Sequence, residues 1–242
     1  MSKYPPRNLS YLVTPRYLAG PDKAATANVI EEMLANRWHA TRTRGALVLR
    51  LDHQDELLEV LHIPQRATAP DGKCPAIGWE LTARPGPGQE RTWAARFTRD
   101  TPPELIAALL AEATRPRTTP ASADRRRNQP ALLPVAEATR PLEAAKWIRD
   151  LAMHECAWYA PGERAVVVTP LQPEAPDREG AHWLFAARRA TENVALWHGT
   201  AHPHTPTHLV RALCEAMTDP TPVPRQTHPP FDDEDLTVTP QK

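Results

Sequence analysis

The spacing of apolar residues in the first half of the chain predicts a helix, a set of strands and a second helix. Apolar residues recur at helical spacing over residues 23–36, directly after Asp22, which can cap the helix with its side chain. Alternation of apolar and polar residues predicts strands over residues 38–43, 47–52, 57–63, 79–84 and 91–98. The last helix begins at residues 101–104, Thr-Pro-Pro-Glu, which we interpret as a capping box with Thr101 at the N-cap.

The second half of the chain predicts a similar order of elements. Leu142, Ala145, Ile148 and Leu151 share one helical face, so we expect a helix over residues 142–154. Further strands are predicted over residues 157–159, 164–169, 183–188 and 193–198. A final helix begins at Thr205, but His208 takes the place of the glutamate of the capping box.

The two halves are copies of one unit. Residues 79–116 align without a gap with residues 183–220, and 11 of these 38 positions are identical. The repeat predicts an α+β fold of two tandem units, each an antiparallel sheet of about four strands packed against an N-terminal and a C-terminal helix. The first repeat has more residues before its hairpin than the second, and we expect the strand over residues 57–63 to be the insertion.

The repeat also sets the predicted domain boundaries. The first repeat domain covers residues 11–116 and the second covers residues 135–220. Between them, residues 117–134 are rich in proline and arginine and are predicted to form a linker. Residues 221–242 are acidic and rich in proline, which predicts a disordered tail.

The composition restricts the classes of function. The formal net charge is zero, so electrostatic binding must come from local patches. Cys74, Cys156 and Cys214 are odd in number and widely spaced, which indicates free thiols in a reducing compartment. No apolar run approaches the roughly 20 residues that cross a bilayer, and residues 1–13 lack the apolar stretch of a secretory signal. We therefore expect a cytoplasmic protein without membrane contacts.

Four features of the sequence resemble one known family. They are residues 13–20 (Val-Thr-Pro-Arg-Tyr-Leu-Ala-Gly), the pair Gly78-Trp79, Trp93, and residues 101–109, which begin Thr-Pro-Pro-Glu. In these features the chain resembles the actinomycete family called domain of unknown function 317, or the SPDY domain, whose members often carry the domain in tandem. The resemblance covers most of residues 11–116 and, more weakly, residues 135–220.

The resemblance supports the fold and transfers no catalytic residue, because the family name implies no established activity. It associates the protein with mobile elements such as plasmids and phages. The Ser-Pro-Asp turn that gives the family its nickname is altered in both repeats. We assign this turn to residues 43–46 in the first repeat and to residues 160–163 in the second.

No motif indicates catalysis. The chain lacks a phosphate-cradling glycine loop, the His-Glu helix of zinc proteases and a nucleophile elbow. Its only serines are Ser2, Ser10 and Ser122, which makes a serine nucleophile a poor hypothesis. We therefore expect no enzymatic activity, no catalytic residues and no cofactor.

Four histidines lie close together, from the end of a strand into the last helix: His198, His202, His204 and His208. Neutral imidazoles can bind a metal ion. However, no cysteine or carboxylate joins the group, and the first repeat has no metal-binding set at the equivalent positions. The sequence leaves the role of these histidines open, and we predict no metal site.

Tryptophan is abundant, with seven residues against three phenylalanines, which raises the hypothesis that indoles stack on unpaired bases. Strand alternation places Trp79, Trp93 and Trp183 on the same face as their apolar neighbours, which favours a role in the core. Trp197 is ambiguous because Leu196 lies on the opposite face.

Arginines occupy the opposite face of the first predicted sheet. Strand alternation places them away from the tryptophans or leucines of their strands, and the predicted linker adds three more. An exposed sheet face with several arginines can follow a phosphate backbone, although a solvated arginine-rich surface gives the same pattern. The predicted nucleic-acid-binding residues are Arg42, Arg50, Arg84, Arg96, Arg125, Arg126 and Arg127.

These patterns favour a non-enzymatic protein that associates with single- or double-stranded DNA through the arginine-bearing face and the basic linker. The alternative is a protein-interaction adaptor. In that interpretation the sheets dock a partner, and residues 231–235 of the acidic tail form a short peptide ligand for another protein.

Overall fold

A computed structural model describes residues 10–43, 46–53, 56–64, 77–115, 135–151, 155–170, 182–189, 195–229 and 234–241. The predicted first helix is confirmed, and the side chain of Asp22 caps it by accepting a hydrogen bond from the backbone N–H of Ala25. In chain order, the elements up to residue 114 are β1 (Ser10–Thr14), a 3-10 turn (Arg16–Leu18), α1 (Lys23–Ala35), β2 (His39–Thr43), β3 (Ala46–His53), β4 (Glu56–His62), β5 (Ile77–Arg84), β6 (Trp93–Thr98) and α2 (Pro103–Thr114).

The second half repeats this order and adds two strands at its end. Its elements are α3 (Val135–Ala144), β7 (Ile148–Leu151), β8 (Glu155–Tyr159), a 3-10 turn (Pro161–Glu163), β9 (Ala165–Pro170), β10 (Trp183–Arg188), β11 (Ala195–Ala201), α4 (Thr207–Thr218), β12 (Val223–Arg225) and β13 (Thr237–Gln241). The α+β class is therefore confirmed, with five strands of the large sheet from each half.

The two repeats share one antiparallel sheet of ten strands, in the order β2-β3-β4-β5-β6-β11-β10-β9-β8-β7. The sheet residues of the main hydrophobic core all lie on one face, and the helices pack beside one another over that face in the order α1-α2-α4-α3. We call the opposite side of the sheet the open face, because none of the described helices packs there.

The repeats join where β6 pairs with β11. Phe97 lies opposite Gly199, Arg96 opposite Thr200, and Ala95 opposite Ala201. Thr200 is the counterpart of Arg96 in the aligned repeats, so an approximate twofold axis passes through this pair. The continuous sheet therefore joins two copies of one unit along equivalent strands.

A small second sheet brings the two ends of the described chain together, in the order β12-β1-β13. Val13 and Val223 are buried in its core, with Val238 packed against them. We expected a disordered tail from residue 221, but β12 and β13 are ordered strands. The prediction failed because their partner, β1, lies more than 200 positions earlier in the sequence.

The helix predicted over residues 142–154 is wrong, because α3 ends at Ala144 and β7 starts at Ile148. Arg37, after α1, and Lys146, after α3, both have a positive φ, of 68° and 61°. Each is followed by a buried tryptophan, Trp38 in the first repeat and Trp147 in the second. These positions show that the repeats correspond strand by strand from β2 and β7 onward. The strand β4 is therefore the counterpart of β9 and not an insertion.

The capping box predicted at Thr101 is also absent. The N-cap of α2 is Pro102, and the helix begins at Pro103 without a side-chain cap. The Oγ1 atom of Thr101 lies 3.4 Å from Oγ1 of Thr98, and the carboxylate of Glu104 binds Arg225 instead of the helix start. A partner distant in sequence therefore holds the carboxylate that the capping box required.

Candidate nucleic-acid interface

An arginine cluster lies on the open face of the first repeat. We define it as Arg50, Arg84, Arg91 and Arg96, which surround two carboxylates. The Nε atom of Arg50 donates to Glu59 Oε2 at 2.7 Å, and a guanidinium nitrogen of Arg84 lies 3.7 Å from Glu59 Oε1. Cross-strand pairing between β3, β4 and β5 aligns these side chains, because Arg50 pairs with Glu59, which pairs with Thr82.

The second carboxylate of the cluster is Glu80 in β5. Its Oε1 atom accepts hydrogen bonds from Arg91 at 2.9 Å and from Arg96 at 3.0 Å. The predicted strand over residues 91–98 placed Arg91 on the same face as Trp93 and therefore away from the other arginines, whereas in the structure Arg91 precedes β6, which begins at Trp93. The signal that could have found it is the hairpin, since Arg91 follows the turn that brings β6 back alongside Glu80.

The carboxylates of the cluster lie deeper than the guanidinium groups. The side chains of Glu59 and Glu80 are 22% and 17% exposed, whereas those of Arg50, Arg91 and Arg96 are 45–55% exposed and that of Arg84 is 29% exposed. Four arginines against two glutamates leave a net charge of +2 in the cluster. Positive charge therefore forms the outer layer of this surface.

The structure brings together Arg50, Arg84 and Arg96, but not Arg42. Arg42 pairs with Leu47, Leu47 pairs with His62, and His62 pairs with Trp79. Directly paired residues of an antiparallel sheet share a face, so Arg42 lies on the helix side, at the exposed edge strand β2. Its predicted place on the open face is wrong, because Leu47, His62 and Trp79, to which the pairing connects it, lie on the helix side. Arg125, Arg126 and Arg127 lie outside the described residues.

Trp79, Trp93 and Trp183 belong to the core, as strand alternation predicted, and so does Trp197, which the alternation left ambiguous. Trp79, Trp93, Trp183 and Trp197 are each at most 8% exposed. The indole N–H of Trp197 donates to the backbone oxygen of Tyr17 at 2.7 Å, which joins the second repeat to the segment before α1. These four side chains therefore offer no platform for base stacking.

The predicted histidines divide into two groups. His198 lies in β11, and burial lowers its pKa. His202 and His204 lie in the turn before α4, close to His182, and His208 lies in the first turn of α4. Among the described residues, no group of three or more histidine, cysteine, aspartate or glutamate side chains is placed to hold a metal ion.

The acidic tail contacts the second repeat. Asp235 Oδ2 lies 3.0 Å from Nε of Arg164, and a Cβ on Gly162 would collide with the same carboxylate. Gly162 has a φ of 74°, so both its backbone angle and its close approach favour glycine. Residues 231–233 of the proposed peptide ligand lie outside the described part of the chain.

A cavity of about 500 Å³ lies where both repeats and the tail meet. Its lining includes Tyr17 from the N-terminal segment, Asp100 from the first repeat, Arg189 and Trp197 from the second, and Arg225 from β12. Residues of both repeats, of the N-terminal segment and of the tail therefore line one cavity.

The fold defines a tandem-repeat α+β protein with a shared sheet. A family model for SPDY, domain of unknown function (DUF317), matches residues 54–119 and 162–223, which together make up more than half of the chain. The chain belongs to this family. No curated protein and no solved structure matches the chain significantly. None of the described helices is long and apolar enough to cross a membrane.

The family matches also correct the assignment of the altered turn. One match begins at residue 54, between β3 and β4, and the other begins at Gly162, between the corresponding strands β8 and β9. Residues 43–46, between β2 and β3, are therefore not the counterpart of residues 160–163. The equivalent turn of the first repeat lies at residues 53–56.

Proposed function

We propose that this protein binds nucleic acid without catalysis, through the arginine cluster on the open face. The observation that carries the proposal is the layering of charge, with half-exposed guanidinium groups outside two less exposed carboxylates. Guanidinium groups bind phosphate through two donors at once and remain charged at all relevant pH values. The carboxylates hold the arginines in place and leave other N–H donors facing solvent.

The size of the cluster sets the scale of the interaction. Arg50 lies in β3 and Arg96 in β6, three strand spacings apart, which corresponds to about 14 Å. A surface of this width can contact a few phosphates, so we expect weak binding that depends on salt. The basic linker supports additional contacts in this proposal, through Arg125, Arg126 and Arg127.

The test is the affinity of the full chain for labelled 20-nucleotide single strands and 20-base-pair duplexes, measured by fluorescence anisotropy at low salt. Combined Arg91→Gln and Arg96→Gln substitutions should weaken binding about tenfold, because each removes a charged phosphate contact. Arg42→Gln is the matched control, since Arg42 is exposed on the helix side of the sheet, and it should leave the affinity unchanged.

Glu80→Gln provides a test in the opposite direction. It removes the carboxylate that competes with phosphate for Arg91 and Arg96, and it should strengthen binding about threefold. Two results would contradict binding at the open face. In the first, Arg42→Gln loses as much affinity as the double variant. In the second, neither the double variant nor Arg42→Gln changes the affinity. A combined Gln variant of Arg125, Arg126 and Arg127 measures the contribution of these linker residues separately.

A second candidate function, protein interaction, is supported by the open face of the second repeat. Val166, Val168 and Leu184 are partly exposed there, and Ile148 at the edge is 61% exposed. An exposed apolar surface of this kind is typical of docking sites. Capture of partners by wild type but not by the combined Val168→Lys and Leu184→Lys variant would support it. The same capture experiment with Asp232→Asn and Asp233→Asn tests whether residues 231–235 bind a partner, and these substitutions leave β12 and β13 in place.

A further inference from the structure

The start of α4 contains two threonine hydroxyls without a hydrogen-bond partner among the described residues. The Oγ1 atoms of Thr205 and Thr207 are both covered, and Thr205 as a whole is only 2% exposed. In the first repeat the equivalent hydroxyl, that of Thr101, lies 3.4 Å from the hydroxyl of Thr98. The counterpart of Thr98 is His202, so the Thr205 hydroxyl has lost this partner. Buried hydroxyls that lack a partner in the protein commonly bind water or an ion.

Three histidines surround the same helix start. The ring centroids of His202 and His204 are 4.8 Å apart, and those of His202 and His182 are 5.7 Å apart. The backbone N–H of His204 donates to Nδ1 of His202 at 3.2 Å, which leaves Nε2 of His202 as the N–H donor. None of these three rings forms an ion pair with a carboxylate in the described part of the chain, so no carboxylate there competes with an anion for these rings.

The helix start itself favours a negative charge. The N-cap of α4 is Pro206, which offers no side-chain cap, and the first turn contains no acidic residue. Helix N-termini attract anions because their first N–H groups lack partners and point outward. At the equivalent position of the first repeat, Glu104 supplies a carboxylate in the first turn of α2. The second repeat has His208 at this position, and the first turn of α4 contains no acidic residue.

We propose that the start of α4 binds a tetrahedral oxyanion, a phosphate group, through the hydroxyls of Thr205 and Thr207 and the imidazoles of His202 and His204. The site lies at the end of β11, next to β6, where the backbone N–H of His202 donates to the oxygen of Ala94. The arginine cluster lies on the open face, so this site goes beyond the proposed function. A negative result at one of the two sites does not contradict the other.

The site should bind more tightly as the pH falls. The pKa of His202 is lowered by burial and by the neighbouring His204 and His182, and the backbone N–H of His202 donates to the oxygen of Ala94 in β6. A bound dianion stabilises the protonated form of His202. Protonation and anion binding therefore favour each other.

The probe is sulfate, which keeps its charge between pH 6 and 7.5, followed by inorganic phosphate at fixed pH. Histidine ring signals of the full chain are followed by NMR during titration. Saturable shifts of the rings of His202 and His204 are expected, with tighter binding at pH 6. Thr205→Val should weaken the affinity about tenfold by removing one hydrogen bond to a charged ligand, and it should preserve folding because the hydroxyl has no partner to lose.

His204→Gln provides a second variant at an exposed position, and Thr101→Val is the matched control in the first repeat. His204→Gln should also weaken binding, whereas Thr101→Val should not. Absence of saturable binding, or equal affinity in wild type and Thr205→Val, overturns the proposal. A short oligonucleotide that displaces sulfate and binds less tightly to Thr205→Val identifies the phosphate as nucleic-acid backbone. Sulfate binding without such competition identifies a free phosphate or a phosphate monoester.

Discussion

The ring of Phe97 lies against the backbone of Gly199, at the pair where the two repeats join into one sheet. A Cβ atom at position 199 would overlap this ring, so only glycine fits opposite Phe97. Phe97 itself is 2% exposed and belongs to the common core. This pair therefore connects the packing of the core with the continuity of the sheet, on which the open face depends.

Replacing Gly199 with alanine should destabilise the protein by about 2 kcal/mol, because the added methyl group forces the ring of Phe97 out of its position. Urea unfolding measures the change in the free energy of unfolding. Gly86→Ala is the control, since its Cβ would meet only the side chain of Gln89, at 3.7 Å. Equal stability of Gly199→Ala and wild type would show that the two repeats do not pair as described.

Replacing Arg225 with methionine should cost about 3 kcal/mol and release the small sheet from the body of the protein. Arg225 is 2% exposed and binds both carboxylate oxygens of Glu104, at 2.6 and 2.7 Å, so its loss leaves a partly buried carboxylate unpaired. Hydrogen exchange should rise in β1 and β12. Arg211→Met removes the exposed pair with Glu215 and should cost no more than about 0.5 kcal/mol. Similar losses in both variants would contradict the anchoring role of Arg225.

Cys156 and Cys214 should resist thiol reagents in the folded protein. Both are 0% exposed, and burial raises the pKa of the Cys214 thiol far above its usual range, so little thiolate forms. Mass spectrometry after maleimide treatment should find both residues unmodified in native buffer and modified in urea. Rapid native labelling of Cys214 would contradict its burial beneath the sheet.

Stability should fall as the pH drops below about 6.5, and His62 should contribute to this fall. Burial lowers the pKa of His62, its ring stacks on Trp79 at 4.0 Å, and its Nδ1 lies 3.2 Å from the backbone oxygen of Gly78. The folded state therefore takes up a proton at lower pH than the unfolded state, in which the histidine pKa is about 6.5. Between these two pKa values the unfolded state binds more protons, so acid favours unfolding.

Urea unfolding at pH 5.5 and 7.5 measures this effect. His62→Phe should reduce the difference in free energy between the two pH values, because the phenyl ring keeps the stacking and cannot be protonated. An unchanged difference would assign the pH dependence to His198 and His202, whose pKa values are also lowered by burial.

Local signals were sufficient for most of the helices and strands. Asp22 identified the start of α1, and the alternation around Trp79 and Trp93 identified the central hairpin with its buried face. The helix predicted over residues 142–154 failed because Ile148 and Leu151 fit a helical period, yet both lie exposed on an edge strand. Hydrophobic spacing alone could not distinguish these two structures.

The features that the sequence did not reveal all depend on contacts between distant residues. The pairing of β6 with β11, the tail strands beside β1 and the bond from Arg225 to Glu104 each join segments about 100 positions apart or more. The same limit applies to the candidate site. Strand alternation found Arg50, Arg84 and Arg96, but sheet pairing was needed to exclude Arg42 and to add Arg91 and its carboxylate partner.

The most direct test of the central claim is the salt dependence of nucleic-acid binding by wild type and by the Arg91→Gln, Arg96→Gln variant. With up to four cluster arginines and three linker arginines on phosphates, the slope of log K against log salt for a duplex should lie between about −2 and −6. The double variant should flatten this slope by about 2, and Arg42→Gln should not change it. No binding at low salt, or one slope shared by all three proteins, would contradict the claim that the open face binds phosphates.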